Sequence, residues 1–303
     1  MAGYQSTSAD LRSQLRQLLI AEQRPKFHRR AQGQVGDVVK PFSSTSRIRK
    51  GLSPSEPNTY SANIQELFTH PNFSNLTKQA IMDSLPVTNN AVGEPTSTKE
   101  KVLHAGAAMV QNFDPPKQLC AHLHAFHTYA SNPGKPVEAN HYCAHLNEDV
   151  RQCIIYDSPS PNARLIGIEY MIKPHLYETL DQEERKLWHS HVFEVKSGML
   201  FLPTPAGVPN AAWEPAETEE MKEVIHLYGK VYHLWQVDKG HQLPLGEAQL
   251  MTSYTSKDQF PDYDGVVGER DRKFGVDSKA KAETRKGIAE PSTHPDADAA
   301  WKK

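Results

Sequence analysis

The sequence predicts an α+β domain with a mainly antiparallel sheet and packing helices, flanked by disordered N- and C-terminal arms. Three observations lead there. Residues 150–157 and 164–172 are rich in β-branched and aromatic side chains and are joined by the turn-prone run S-P-S-P-N-A, so they read as a hairpin. Strand-like segments outnumber helical ones and several are linked by short turns, which favours an antiparallel sheet over a wound α/β fold. The apolar share of 38% in 303 residues is low for a wholly folded chain, which leaves part of it without a core.

In order, residues 1–60 read as a mostly disordered basic arm carrying one short amphipathic helix. That helix, over residues 7–23, has the start signal Thr7-x-x-Asp10 and the stripe Leu11, Leu15, Leu18 and Leu19, which suits docking on the core or on a partner. Residues 61–92 form a helical lead-in, with a helix over 76–85, and a linker broken by Pro, Asn and Gly. A core domain spans residues 93–255. It opens with the capping box Ser97-x-x-Glu100 and a helix whose Val102, Gly106, Met109, Val110 and Phe113 share a face until Pro115 and Pro116 stop it.

Within the hairpin, Ile166, Ile168, Tyr170 and Ile172 alternate onto one face, with Leu165 and Glu169 on the other, and the isoleucine face is expected inside. Residues 188–202 form a further strand or hairpin with K-S-G at the bend. A helix over residues 217–228 turns Met221, Val224, Ile225 and Tyr228 inward and stops at Gly229. Residues 230–238 return as a strand, residues 248–254 add a last one, and residues 256–303 read as a disordered charged tail.

A formal net charge of −2 gives no field that would draw the chain to nucleic acid, and no run of about 18 apolar residues spans a bilayer. The N-terminus lacks the pattern of a signal peptide. Cys120, Cys143 and Cys153 make no even disulfide framework and no zinc-ribbon spacing, so free thiols in a reducing, cytoplasmic setting are expected. There is no nucleophile elbow, P-loop or Rossmann glycine pattern, which leans away from an enzyme.

Chemistry-bearing residues concentrate in N-H-Y-C-A-H-L-N-E-D-V-R-Q-C-I-I-Y-D-S from Asn140 and in W-H-S-H-V-F-E-V-K-S-G from Trp188. His189 and His191 share a strand face and could hold a divalent transition metal such as zinc through neutral nitrogens, together with His141, His145, His127 or His233. The H-x-H segment resembles that of cupin barrels, although strand parity sends Glu194 to the opposite face. On a strand, His141 and His145 lie too far apart to share one ion; on a helix they would meet, with Glu148 nearby. Cys143 reads as a small buried thiol, and Glu148 and Arg151 as a turn with ion pairs or, with Cys143 and Glu194, as pocket residues. A hydrogen-bonded polar network without metal explains the same histidines.

The runs H-L-N-E-D-V-R-Q-C-I-I-Y-D-S, R-L-I-G-I-E-Y, L-W-H-S-H-V-F-E-V-K-S-G and Y-G-K-V-Y-H-L-W-Q-V-D resemble the oil-body-associated protein family, a domain of unknown function, over about residues 93–255. The resemblance implies a non-enzymatic domain peripheral on lipid droplets, meeting the droplet surface or droplet proteins and supporting lipid storage. It carries over no catalytic residues. The alternative is a metal-binding protein or metal-dependent enzyme built on the histidine cluster.

Overall fold

The computed structural model describes residues 91–302. The helices expected over residues 7–23 and 76–85, and the basic arm, lie outside the described residues. These residues divide into two compact units, residues 95–112 and residues 91–94 with 113–302. In the first, α1 (Thr98–Val110) starts at the expected capping box. Ser97 Oγ accepts from the Glu100 amide and Glu100 Oε2 accepts from the Ser97 amide, both at 3.2 Å, which stabilises the helix end by about 1 kcal/mol.

The second unit runs α2 (Asp114–Lys117), β1 (Ala121–Tyr129), β2 (Val137–His145), β3 (Val150–Tyr156), β4 (Leu165–Ile172), α3 (Pro174–Tyr177), α4 (Gln182–Arg185), β5 (His189–Ser190), α5 (Val192–Lys196), α6 (Asn210–Val224), β6 (Tyr228–His233), β7 (Gln249–Thr252), α7 (Tyr263–Phe274) and α8 (Ser278–Thr284). Every strand pairing is antiparallel. The sheet order β4-β3-β2-β1-β7-β6-β5 is closed by a further β4–β6 pairing, so the mainly antiparallel sheet is more specifically a closed barrel of β1, β2, β3, β4, β6 and β7. Closure removes the exposed edges an open sheet would present.

Cross-strand partners share a face, so the register defines the interior. Leu123 stands opposite His141, and His141 opposite Ile155; Cys143 stands opposite Cys153, and Cys153 opposite Glu169, which stands opposite Val231. Such a small barrel is filled by its own side chains. At one end Leu123, Cys143, Cys153 and Met171 pack with Met221 and Val224 of α6. Each buried Leu or Met contributes about 2 kcal/mol. Towards the other end Tyr129, Val137, Ala139, Ile155, Ile166, Val231 and Met251 form a second apolar cluster.

Four expectations are corrected. Glu169 faces the interior and is buried, while Tyr170 is 42% exposed, because the register rather than local apolarity sets the inner face of β4. Residues 188–202 do not form a hairpin; β5 ends after two residues and α5 begins. Cys143 is not a free thiol. It is bonded to Cys153, its direct cross-strand partner at a Cα–Cα distance of 4.0 Å, and Cys120 is the free, exposed cysteine.

The fourth concerns residues 256–302, expected to be a disordered tail. They carry α7, α8 and short 3-10 turns packed on the barrel. Phe260 and Val267 join Phe126, Met199 and Tyr254 in an apolar cluster, and Ile288 packs with Met221 and Leu227. The charges that make this stretch look solvated are partly buried and paired. Arg270 donates to the Met199 carbonyl at 2.9 Å and to Ser278 Oγ at 3.0 Å, and Arg285 donates to Glu217 Oε1 at 2.7 Å. Hydrogen-bonded pairing is what makes buried charge tolerable.

Candidate functional site

Five strands converge on one buried cluster. The inward parity of β1 supplies His127, that of β2 His141, that of β4 Glu169 and that of β6 His233, and the short β5 adds His189. His191 follows as the residue that caps α5, and Glu194 comes round on its first turn. All seven side chains are buried.

Glu169 sits at the centre. Its Oε2 lies 2.9 Å from His141 Nε2, and its Oε1 lies 3.2 Å from His189 Nε2 and 3.7 Å from His191 Nε2. A chain of rings extends away from it: His141 Nε2 is 3.2 Å from His127 Nε2, and His127 Nδ1 is 3.1 Å from His233 Nε2. The ring of His191 is fixed from behind, where Nδ1–H donates to the Leu227 carbonyl at 2.8 Å and so turns Nε2 towards Glu169. Gly229 of β6 makes room. A Cβ there would overlap Glu169 Oε1 and lie 2.9 Å from His189 Nε2.

The C-terminal segment holds the H-x-H segment in place. Asp298 accepts from both the amide and the hydroxyl of Ser190, each at 2.8 Å, and its own amide donates to the Trp188 carbonyl at 3.0 Å. Lys196, at the end of α5, donates to the carbonyls of Arg285, Lys286 and Ile288 at 2.9–3.2 Å.

Electrostatically the site is strongly coupled. Burial pushes the Glu169 carboxyl up, but the imidazoles of His141, His189 and His191 outweigh it and hold it well below the usual carboxylate range. Burial lowers His191, yet Glu169 and Glu194 raise it to about 9. Burial, reinforced by His141, holds His127 well below the usual histidine value and lowers His233 to about 4. Burial also raises Glu194, whose Oε1 has no hydrogen-bond partner.

Of the residues singled out from the sequence, His141, His189, His191, His127, His233 and Glu194 are brought together. His145 is exposed at the end of β2, and Glu148 is exposed in the β2–β3 turn, where Asn147 Oδ1 accepts from the Asp149 and Val150 amides. Arg151 lies near the α6 end of the barrel, paired with Glu220. The helical reading of His141 and His145 is excluded by their place on β2. Glu169 was missed as a site residue; the available signal was a lone carboxylate inside an otherwise apolar β-strand, L-I-G-I-E-Y-M-I. Glu169, His127 and His141 form one group of donors close enough to hold a metal ion, and Glu169, His189 and His191 form another.

Fold and site together define a small closed β-barrel protein with a buried interior of imidazoles and carboxylates. Residues 113–289 match the family model described as "Protein of unknown function (DUF1264)". The chain is 43% identical over 199 residues to oil body-associated protein 1B of Arabidopsis thaliana, covering 66% of this chain and 79% of that one. It is 44% identical over 213 residues to oil body-associated protein 1A of Zea mays, covering 69% and 85%, and 38% identical over 199 residues to oil body-associated protein 2A of Arabidopsis thaliana, covering 66% and 78%. The chain belongs to this family of oil body-associated proteins. No solved structure matches it.

Proposed function

We propose that this chain is a non-catalytic protein of the oil-body surface that supports lipid storage and is held there peripherally. The observation that carries the reading is its 36–44% identity, over about two thirds of its length, to proteins named for oil bodies. Geometry supports the peripheral part. The barrel interior is filled by Leu123, Ala139, Ile155, the Cys143–Cys153 pair and the histidine cluster, so lipid is met from outside rather than carried within. Among the described residues no helix is long and apolar enough to cross a membrane.

Expressed with a fluorescent tag in lipid-loaded cells, the full chain is expected on droplets. The purified chain is expected to bind emulsified triacylglycerol and to leave it under carbonate or high salt, because a peripheral contact buries little apolar surface. Diffuse fluorescence with no emulsion binding would refute the reading. Retention through carbonate washing would refute its peripheral part.

A further inference from the structure

We propose that the barrel interior binds one divalent first-row transition metal ion through Glu169, His189 and His191, with His141 on the other oxygen of Glu169 and His127 and His233 forming an imidazole chain behind it. This does not rest on the oil-body reading and stands or falls separately.

Distances supply the first argument. Two ligands bonded to one ion at about 2.0–2.2 Å lie roughly 2.9–3.5 Å apart at tetrahedral or octahedral angles. Glu169 Oε1 lies 3.2 Å from His189 Nε2, with His191 Nε2 slightly beyond at 3.7 Å, and these three residues form one group of donors close enough to hold an ion.

Direction supplies the second. Although these separations are those of hydrogen bonds, neither Glu169 oxygen and neither His189 nitrogen has a hydrogen-bond partner, and all four atoms are buried. Donor atoms that approach this closely without hydrogen-bond geometry are left available to a shared cation. A buried carboxylate and a buried imidazole in this state are costly unless a cation joins them.

Support behind the donors supplies the third. Metal-bound histidines commonly donate their second ring N–H to a backbone carbonyl, which fixes the tautomer, and His191 does so to Leu227 at 2.8 Å. Gly229 keeps the space above Glu169 Oε1 and His189 Nε2 free of any side chain. Finally, the ligand-bearing side chains come from β4, β5 and the turn into α5, which β6 brings together by pairing with both β4 and β5, so the donor set is not one local motif.

The donor chemistry narrows the ion. Two imidazole nitrogens and one carboxylate favour manganese, iron, cobalt, nickel, copper or zinc over calcium and magnesium, which take oxygen ligands.

The test uses the full chain made without a polyhistidine tag. Metal content is measured as purified, then after chelation and reloading with Co²⁺, for the unaltered chain and for Glu169→Gln, His189→Ala and His145→Ala, with circular dichroism confirming the fold of each. About one equivalent of metal and a visible Co²⁺ d–d band are expected for the unaltered chain and for His145→Ala, whose ring is exposed outside the cluster. Glu169→Gln, isosteric and neutral, is expected to weaken Co²⁺ binding by at least about 100-fold, more than loss of a supporting group would. Absence of metal together with no Co²⁺ band at millimolar ion would overturn the proposal in favour of a proton-sharing network. Unchanged binding in folded Glu169→Gln and His189→Ala would overturn it by placing the ion elsewhere.

Discussion

Replacing Arg285 with alanine tests whether the C-terminal segment belongs to the fold. Arg285 is 1% exposed and opens the 3-10 turn Arg285–Gly287. It donates to the Val195 carbonyl at 3.1 Å, to the Leu200 carbonyl at 2.7 Å and to Glu217 Oε1 at 2.7 Å. After truncation the Val195 carbonyl keeps the Gly198 amide and Glu217 keeps Lys281, so the loss falls mainly on Leu200 and on half of the Glu217 charge balance. Removing one partner of a buried, hydrogen-bonded ion pair costs about 3–5 kcal/mol, a large part of the roughly 5–15 kcal/mol that holds a domain together. Urea unfolding followed by tryptophan fluorescence should show the midpoint falling with little change in slope. Replacing both partners, as Arg285→Met with Glu217→Leu, should cost less than Arg285→Ala, since neither member of that pair is then left buried and only Lys281, nearer the surface, loses its carboxylate. A loss below about 0.5 kcal/mol for Arg285→Ala, the range of ordinary surface substitutions, would refute the reasoning.

Stability of chelator-treated protein should peak near pH 6.5. His124, buried on β1 beside Arg270, and His233 are lowered from 6.5 to about 4, chiefly by burial, so below pH 6.5 the unfolded chain binds protons that the fold refuses. At about 1.4 kcal/mol per pH unit, each ring withdraws about 3 kcal/mol by pH 4. His191, raised to about 9, contributes stability that is complete below pH 6.5 and is lost as pH rises through 9. Thermal unfolding across this range that stays flat from pH 4 to 9 would contradict both signs. Separately, Gly229→Ala should cost about 1–3 kcal/mol of overpacking strain and displace the Glu169 carboxylate, read by urea unfolding; a neutral result would mean that the approach of β6 to Glu169 is looser than described.

Much of the fold was legible where the signal is local. The strands from Val150 and Leu165, the last strand and the capping box of α1 fall where β-branched alternation and Ser97-x-x-Glu100 place them. The first strand was not, because A-H-L-H-A-F-H-T-Y has almost no β-branched residues and its order comes from pairing with β2 and β7. Closure through β4 and β6 joins segments about 60 residues apart, beyond any periodicity window. It is also what turns Glu169 inward. The histidines were visible as candidate ligands, and their common partner Glu169 was not. Likewise, composition reads the paired arginines of the C-terminal segment as solvated charge, since sequence alone does not show that Arg270 and Arg285 find carbonyls and carboxylates inside the protein.

The grip of Asp298 on Ser190 has a temporal consequence. During synthesis the barrel strands are all available once residue 252 has emerged, but the serine between the two histidines gains its clamp only about 46 residues later. A chain cut short before that aspartate would have every barrel strand and yet lack the clamp on its H-S-H segment, so the last residues made are the ones that secure the interior.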